Sequence, residues 1–420
     1  MTHRSTGRAA VALLLVLSFA VAACGSDGSS DDGASGTTGT TNPATNEPTD
    51  AFYVAPDPLP DGKPGDLVRS EPLAGAPAGS QAWRVLYLST GFDGKPTAVS
   101  GIVVAPTGAT ATTGTVPTTD RPVLSWGHPT TGVVDSCTPS MSTEVFALIP
   151  GLQGFLDAGY VVAATDYEGL GTEGVHPYLM GDSEGRSVLD AARAARNLPA
   201  TGAGDRLLLW GHSQGGQASL FAGQLAASYA PELKLLATAA AAPAGELAKL
   251  LDADADTAEG VILGAYAVNA YTDLYDDKHP DIEESQVVTP EGLAAIPELV
   301  KLCDLTQSDQ MAAIAAPLAG KFFVGDPGSV KPWGDLLGEN SVGGTKIDSP
   351  VLIAQGEADT IVVPSTTAGV VTTYCGNGTN VTEKTYPGVT HELIGYDSAA
   401  DVVTWMAGIV GGQTPARTCP

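Results

Sequence analysis

The chain has 420 residues, is 43% hydrophobic and carries a formal net charge of -27. That size and apolar content suffice for a sizeable core, either as one large domain with an insertion or as two domains, and exclude disorder for most of the length. So acidic a chain repels nucleic acid and anionic lipid headgroups, which excludes both as electrostatic partners.

Residues 1–23 read as an export signal. Arg4 and Arg8 supply positive charge, and Ala9 to Ala23 is a small or apolar run broken only by Ser18, too short for a comfortable membrane span. Val21-Ala22-Ala23-Cys24 resembles the bacterial lipobox. Its processing would leave a diacylglyceryl group on Cys24 and hold the exported protein on the outer face of the membrane, with plain secretion as the alternative. Residues 24–50 are almost all Gly, Ser, Thr, Asp, Asn and Pro, a composition that cannot offset the entropy of folding, and read as a flexible tether. Once the signal is removed, Cys137, Cys303, Cys375 and Cys419 remain, an even number that argues for two disulfides in an exported chain. Three connectivities are open. Cys137 with Cys303 and Cys375 with Cys419 is preferred, because the second pair would staple the C-terminal tail to the last segment of the core.

From Trp83 onward, short β-rich runs alternate with helical stretches, the signature of an α/β fold with a mostly parallel central sheet. The predicted strands are Trp83 to Leu88, Val99 to Val104, Val123 to Trp126, Tyr160 to Ala164, Arg206 to Trp210, Leu233 to Ala239 and Val351 to Ala354. The later ones are continuous apolar runs, as expected for strands covered on both faces. Ser187 to Leu198 has helical spacing and stops at Pro199, which suits a crossover helix. These elements place the core in residues 51–244 and 336–420. The acidic, helix-prone stretch 245–335 interrupts the strand rhythm and is expected to form an inserted cap. Its Asp252, Asp254 and Asp256 imitate the start of a calcium loop, but Thr257 stands where the sharp-turn glycine belongs and Leu263 where the bidentate glutamate belongs, so no metal is expected.

The pattern G-x-S-x-G occurs at Gly181 to Gly185 and again at Gly211 to Gly215, and context separates the two. Ser213 follows the strand RLLLW and precedes a helical run, the order that lifts a serine hydroxyl above the end of a central strand. Ser183 follows HPYLMGD, has no strand before it and reads as a loop or helix-cap residue. A serine needs a base, and the base needs a carboxylate to fix its tautomer. In this fold the acid precedes the histidine. Asp359 lies just past the strand VLIAQG, with Glu357 as its nearest rival, and His391 is the one histidine after it, expected on a loop. The remaining histidines, His128, His176, His212 and His279, lie in loops, in the elbow or in the cap. For the tetrahedral intermediate, Gln214 follows the nucleophile and should supply one backbone N–H; Thr130 in the loop GHPTTG should supply the second, since Pro129 has none to offer, with Thr131 in reserve.

The segments SWGHPTTGVVDSCTPS, DYEGLGTEGVHPYLMGDSEGRSVLDAARAAR, GHSQGG, GEADTIVVP and GVTHE resemble the secretory lipase family, in an actinobacterial-type, lipase A-like form, from about Ala51 to Cys419. The resemblance implies an α/β-hydrolase core, a helical cap, hydrolysis of acylglycerols or related esters, and no cofactor. It carries Ser213, Asp359 and His391 over as the triad and the same two disulfides. Asp166, Tyr167 and Glu168 are taken as supports of the neighbouring loop. Polyester, phthalate-type, or peptide and amide substrates suit the same triad. A non-catalytic binding protein is the alternative from another class. The oligomeric state is left open.

Overall fold

Leu207, Leu208, Leu209 and Trp210 show how the core is built. Successive side chains of a strand point to opposite faces, so a strand covered on both sides must be apolar throughout. Here Leu208 and Trp210 join one apolar cluster while Leu207 and Leu209 join another on the opposite face, and all four are completely buried. The computed structural model that places them describes residues 50–419 apart from 109, 112, 113, 116 and 117. The export signal, Cys24 and nearly all of the expected tether lie outside the described residues.

The main sheet has nine strands: β1 (Leu67–Leu73), β2 (Ser80–Thr90), β3 (Pro96–Pro106), β4 (Arg121–Gly127), β5 (Val161–Thr165), β6 (Ala203–His212), β7 (Lys234–Ala241), β8 (Val351–Gly356) and β9 (Val381–Tyr386). Their spatial order is β1-β2-β3-β5-β4-β6-β7-β8-β9. β1, β2 and β3 pair antiparallel, as does β3 with β5; every pairing from β5 to β9 is parallel. The fold is thus an α/β-hydrolase with a mostly parallel sheet.

Helices α1 (Leu152–Asp157), α2 (Gly181–Arg196) and α3 (Gln214–Tyr229) link the parallel strands, and α2 begins six residues before the predicted start at Ser187. Gly181 and Gly185 explain that difference. A Cβ on Gly181 would sit 2.2 Å from the Phe221 ring, and one on Gly185 would sit 2.9 Å from the Ala222 nitrogen, so these glycines let α2 and α3 touch. Asp182 and Glu184 then fall in the first turn, where the helix dipole favours acidic side chains.

Between β7 and β8 the chain is helical: α4 (Leu247–Asp254), α5 (Ala258–Tyr275), α6 (Pro290–Leu299), α7 (Asp304–Ala315) and α8 (Trp333–Glu339). α5 is the spine of this segment, with Val261, Tyr266 and Tyr271 fully buried and Tyr271 stacked on Trp333. Two further helices, α9 (Pro364–Gly376) and α10 (His391–Val410), complete the chain. Cys137 is bonded to Cys303, and Cys375 to Cys419. Among the described residues no helix is long and apolar enough to cross a membrane.

Candidate active site

The turn between β6 and α3 is forced by contact distances. A Cβ on Gly211 would lie 1.9 Å from the carbonyl oxygen of Gly215, and one on Gly215 would lie 2.0 Å from that of Gly127. Only glycine fits at either position, and β4, β6 and α3 therefore converge beneath the serine. Ser213 itself is held at φ 56°, ψ -118°, a conformation that side-chain-bearing residues rarely adopt. Its N–H donates to the Ala241 carbonyl on β7 at 2.9 Å, which anchors the strained turn to the next strand.

The strain places Ser213 Oγ 2.9 Å from His391 Nε2, and His391 Nδ1 lies 2.8 Å from Asp359 Oδ2. With Nδ1–H donated to the carboxylate, Nε2 turns its lone pair toward the serine hydroxyl. Asp359 is itself held: the N–H groups of Ile361 and Val362, each at 2.9 Å, donate to its Oδ1, and Gln355 Nε2 reaches Oδ2 at 3.3 Å. Glu357, the rival acid, is exposed and accepts from the Thr385 hydroxyl, so it has no part in this chain of bonds. One expectation needs correction: His391 is the first residue of α10, not a loop residue. The helix start fixes its backbone, while its ring packs 4.8 Å from that of His212.

Gln214 is the first residue of α3, and Thr130 lines the same cavity as Ser213, its hydroxyl 2.8 Å from that of Tyr178. The loop carrying Thr130 is shaped from below. Tyr167, at φ 69°, donates its hydroxyl to the His128 carbonyl at 3.1 Å, and Asp166 accepts from the Ser140 N–H and the Ser100 hydroxyl. Glu168 accepts from the Phe92 N–H and the Ser183 hydroxyl. Ser183 is therefore a buried residue of the first turn of α2 with a structural partner.

Sequence reasoning missed a buried polar group behind Gln214. Its amide nitrogen donates to Glu184 Oε1 at 2.7 Å and to His176 Nε2 at 3.0 Å, while His176 Nδ1 donates to the Glu168 carbonyl at 2.8 Å. Glu184 Oε1 also accepts from the Leu179 N–H. Burial pushes the Glu184 carboxyl up to about 8 and holds His176 down to about 3, so their 4.0 Å approach is not an ion pair. Both belong to the long segment DYEGLGTEGVHPYLMGDSEGR, whose resemblance to known lipases was the available signal. Burial likewise keeps His128 and His212 neutral.

Two spaces open from Ser213. One is a narrow apolar channel of about 40 Å³ that runs under α4 and α5 past Leu247, Leu250, Leu263, Ala267 and Leu337. The other, of about 440 Å³, is wider and more polar, with His128, Thr130, Thr131, Glu259, Asp304 and His391 on its wall. Among the described residues no cluster of three or more His, Cys, Asp or Glu side chains is arranged to hold a metal.

Residues 138–416 match the secretory lipase family. The chain belongs to that family. A protein of Mycobacterium tuberculosis named a probable inactive lipase is 27% identical over 79% of this chain and 75% of its own length. Lipase 6 of Candida albicans is 24% identical over 88% and 83%. Candida antarctica lipase A superimposes with a TM-score of 0.72 at 18% identity, covering 88% of this chain and 87% of that one, a likeness of fold. Membership of the secretory lipase family carries ester hydrolysis and export to this chain as its general chemistry and destination.

Proposed function

We propose that this secretory lipase is a serine-dependent carboxylic-ester hydrolase with Ser213 as nucleophile, His391 as general base and Asp359 as its orienting acid. The observation that carries the reading is the unbroken pair of hydrogen bonds, 2.9 Å and 2.8 Å, from Ser213 through His391 to Asp359. His391 takes the serine proton as Oγ attacks the ester carbonyl, the alcohol leaves, and water hydrolyses the acyl-enzyme. The backbone N–H groups of Gln214 and Thr130 receive the oxyanion, and the α3 N-terminus adds its dipole. The helices α4 to α8 act as a cap, and the apolar channel beneath them takes the acyl chain. At about 40 Å³ that channel suits short acyl groups.

Hydrolysis of p-nitrophenyl esters from acetyl to palmitoyl tests the reading. Short-chain turnover that vanishes in Ser213→Ala is expected. No turnover by the native protein on any chain length would sink the catalytic reading. We also infer that Cys24 carries the lipid anchor. Labelling of cells with a fatty-acid tracer should mark the protein and leave Cys24→Ser unmarked.

A further inference from the structure

The wider space beside Ser213 is chemically unlike the apolar channel. Three carboxylates, Glu259, Asp304 and Glu392, stand on its wall, and no lysine or arginine is among the residues lining it. Asp254, Asp304 and Glu392 are acidic neighbours of Glu259, and among the described residues neither Glu259 nor Asp304 has a side-chain hydrogen-bond partner. Burial raises Glu259 to about 7 and raises Asp304 as well, and the neighbouring carboxylates add to both shifts.

These groups are fixed in place. Asp304 opens α7; its N–H donates to the Thr131 carbonyl at 2.9 Å, and Cys303 before it is bonded to Cys137. Glu259 lies in the first turn of α5, whose start is capped by the Thr257 hydroxyl at 2.9 Å from the Gly260 nitrogen. A second, independent observation concerns the same wall. The Thr131 hydroxyl, in a residue on this wall that is only 2% exposed, has no hydrogen-bond partner among the described residues. Buried polar atoms are normally satisfied, so an unpartnered hydroxyl beside this cavity suits a polar ligand. Tyr396 also lines this space.

We propose that this space is the subsite for a positively charged leaving group, so that the preferred substrates are esters of small amino alcohols with the acyl chain in the apolar channel. The proposal rests on the ester-hydrolase reading above. In the reaction Ser213 Oγ bonds to the carbonyl carbon, the bond from that carbon to the alcohol oxygen breaks, and His391 returns the serine proton to the departing oxygen. The amino alcohol thus leaves still carrying its single positive charge, and water later releases the acid. Glu259 and Asp304 hold the cation as carboxylates, and the fraction of Glu259 that is protonated near neutral pH releases its proton to solvent as the cation binds.

The test compares kcat/KM for butyrylcholine with that for neohexyl butyrate, in which a neutral tert-butyl group replaces the trimethylammonium. The expected ratio is at least about tenfold in favour of the cation, falling towards unity in the Glu259→Gln/Asp304→Asn double variant. A native ratio near unity, or a ratio that the double variant leaves unchanged, overturns the proposal. Calorimetric titration of Ser213→Ala with choline and with neohexanol reads the subsite without catalysis. Tighter binding of choline supports it and equal binding overturns it. Hydrolysis of p-nitrophenyl butyrate by the native protein reports separately on the ester-hydrolase reading, so failure of one is not mistaken for failure of the other.

Discussion

The same pentapeptide pattern appears at Gly181 to Gly185 and at Gly211 to Gly215, and the two copies have opposite fates. At the second, the glycines let β4, β6 and α3 meet, and the serine between them is strained upward to His391. At the first, the glycines let two helices touch, and Ser183 relaxes into a helical turn with its hydroxyl on Glu168. What differs is the element in front. A strand ending under the serine forces a turn with positive φ, whereas the turn before Ser183 leads straight into a helix. The motif is thus a statement about close packing, and chemistry follows only where the packing exposes the hydroxyl to a base.

Breaking the two serines should give the largest contrast. Ser213→Ala is expected to lower kcat/KM by roughly 10⁴-fold or more. Ser183→Ala should leave kcat/KM within about threefold and instead cost about 2 kcal/mol of stability by orphaning a buried hydrogen-bond acceptor, read by denaturant titration. The glycines come next. Gly215→Ala places a methyl 2.0 Å from a backbone carbonyl and should cost more than about 3 kcal/mol, with activity lost even where folded protein is recovered. Gly185→Ala, with its closest approach at 2.9 Å, should cost about 1 to 2 kcal/mol and spare turnover.

Glu184 sharpens the comparison, because it lies within the first pentapeptide yet serves the second through Gln214. Its carboxyl is protonated in the folded state up to about 8 but ionises near the ordinary glutamate value when unfolded. The unfolded chain therefore binds fewer protons across that window, and stability falls as pH rises from about 5 to 8. Glu184→Gln keeps a neutral group of the same shape, so its melting temperature should decline less over the same window. A native slope no steeper than that of Glu184→Gln would contradict the raised carboxyl. Glu184→Ala, which frees the Gln214 side chain, should lower kcat about tenfold while changing KM little.

Much of this was legible in the sequence, for reasons that particular residues make plain. β6 and β8 carry the unbroken apolar runs LLLW and VLIA, buried throughout, and the order of Ser213, Asp359 and His391 marks their candidate roles without any contact being known. β1 and β9 did not declare themselves. LVRSEPL and VTEKTY lie at the two edges of the sheet, where charged and polar residues protect an unpaired strand and hide its period. The start of α2 was hidden by Gly181 and Gly185, which look like loop residues until Phe221 and Ala222 are placed against them. Glu184 and His176 were silent for a deeper reason. A polar residue looks the same in sequence whether it faces water or a buried glutamine, and only the tertiary fold decides.

The Cys137–Cys303 bond spans 166 residues and joins the segment just after Thr131 to the residue that precedes α7. Closing so long a loop is worth about 5 kcal/mol on the chain-entropy model. Disulfides persist in oxidising surroundings and are lost in reducing ones, so the wall that Thr131 and Asp304 share is tied together covalently only where the surroundings of the chain are oxidising.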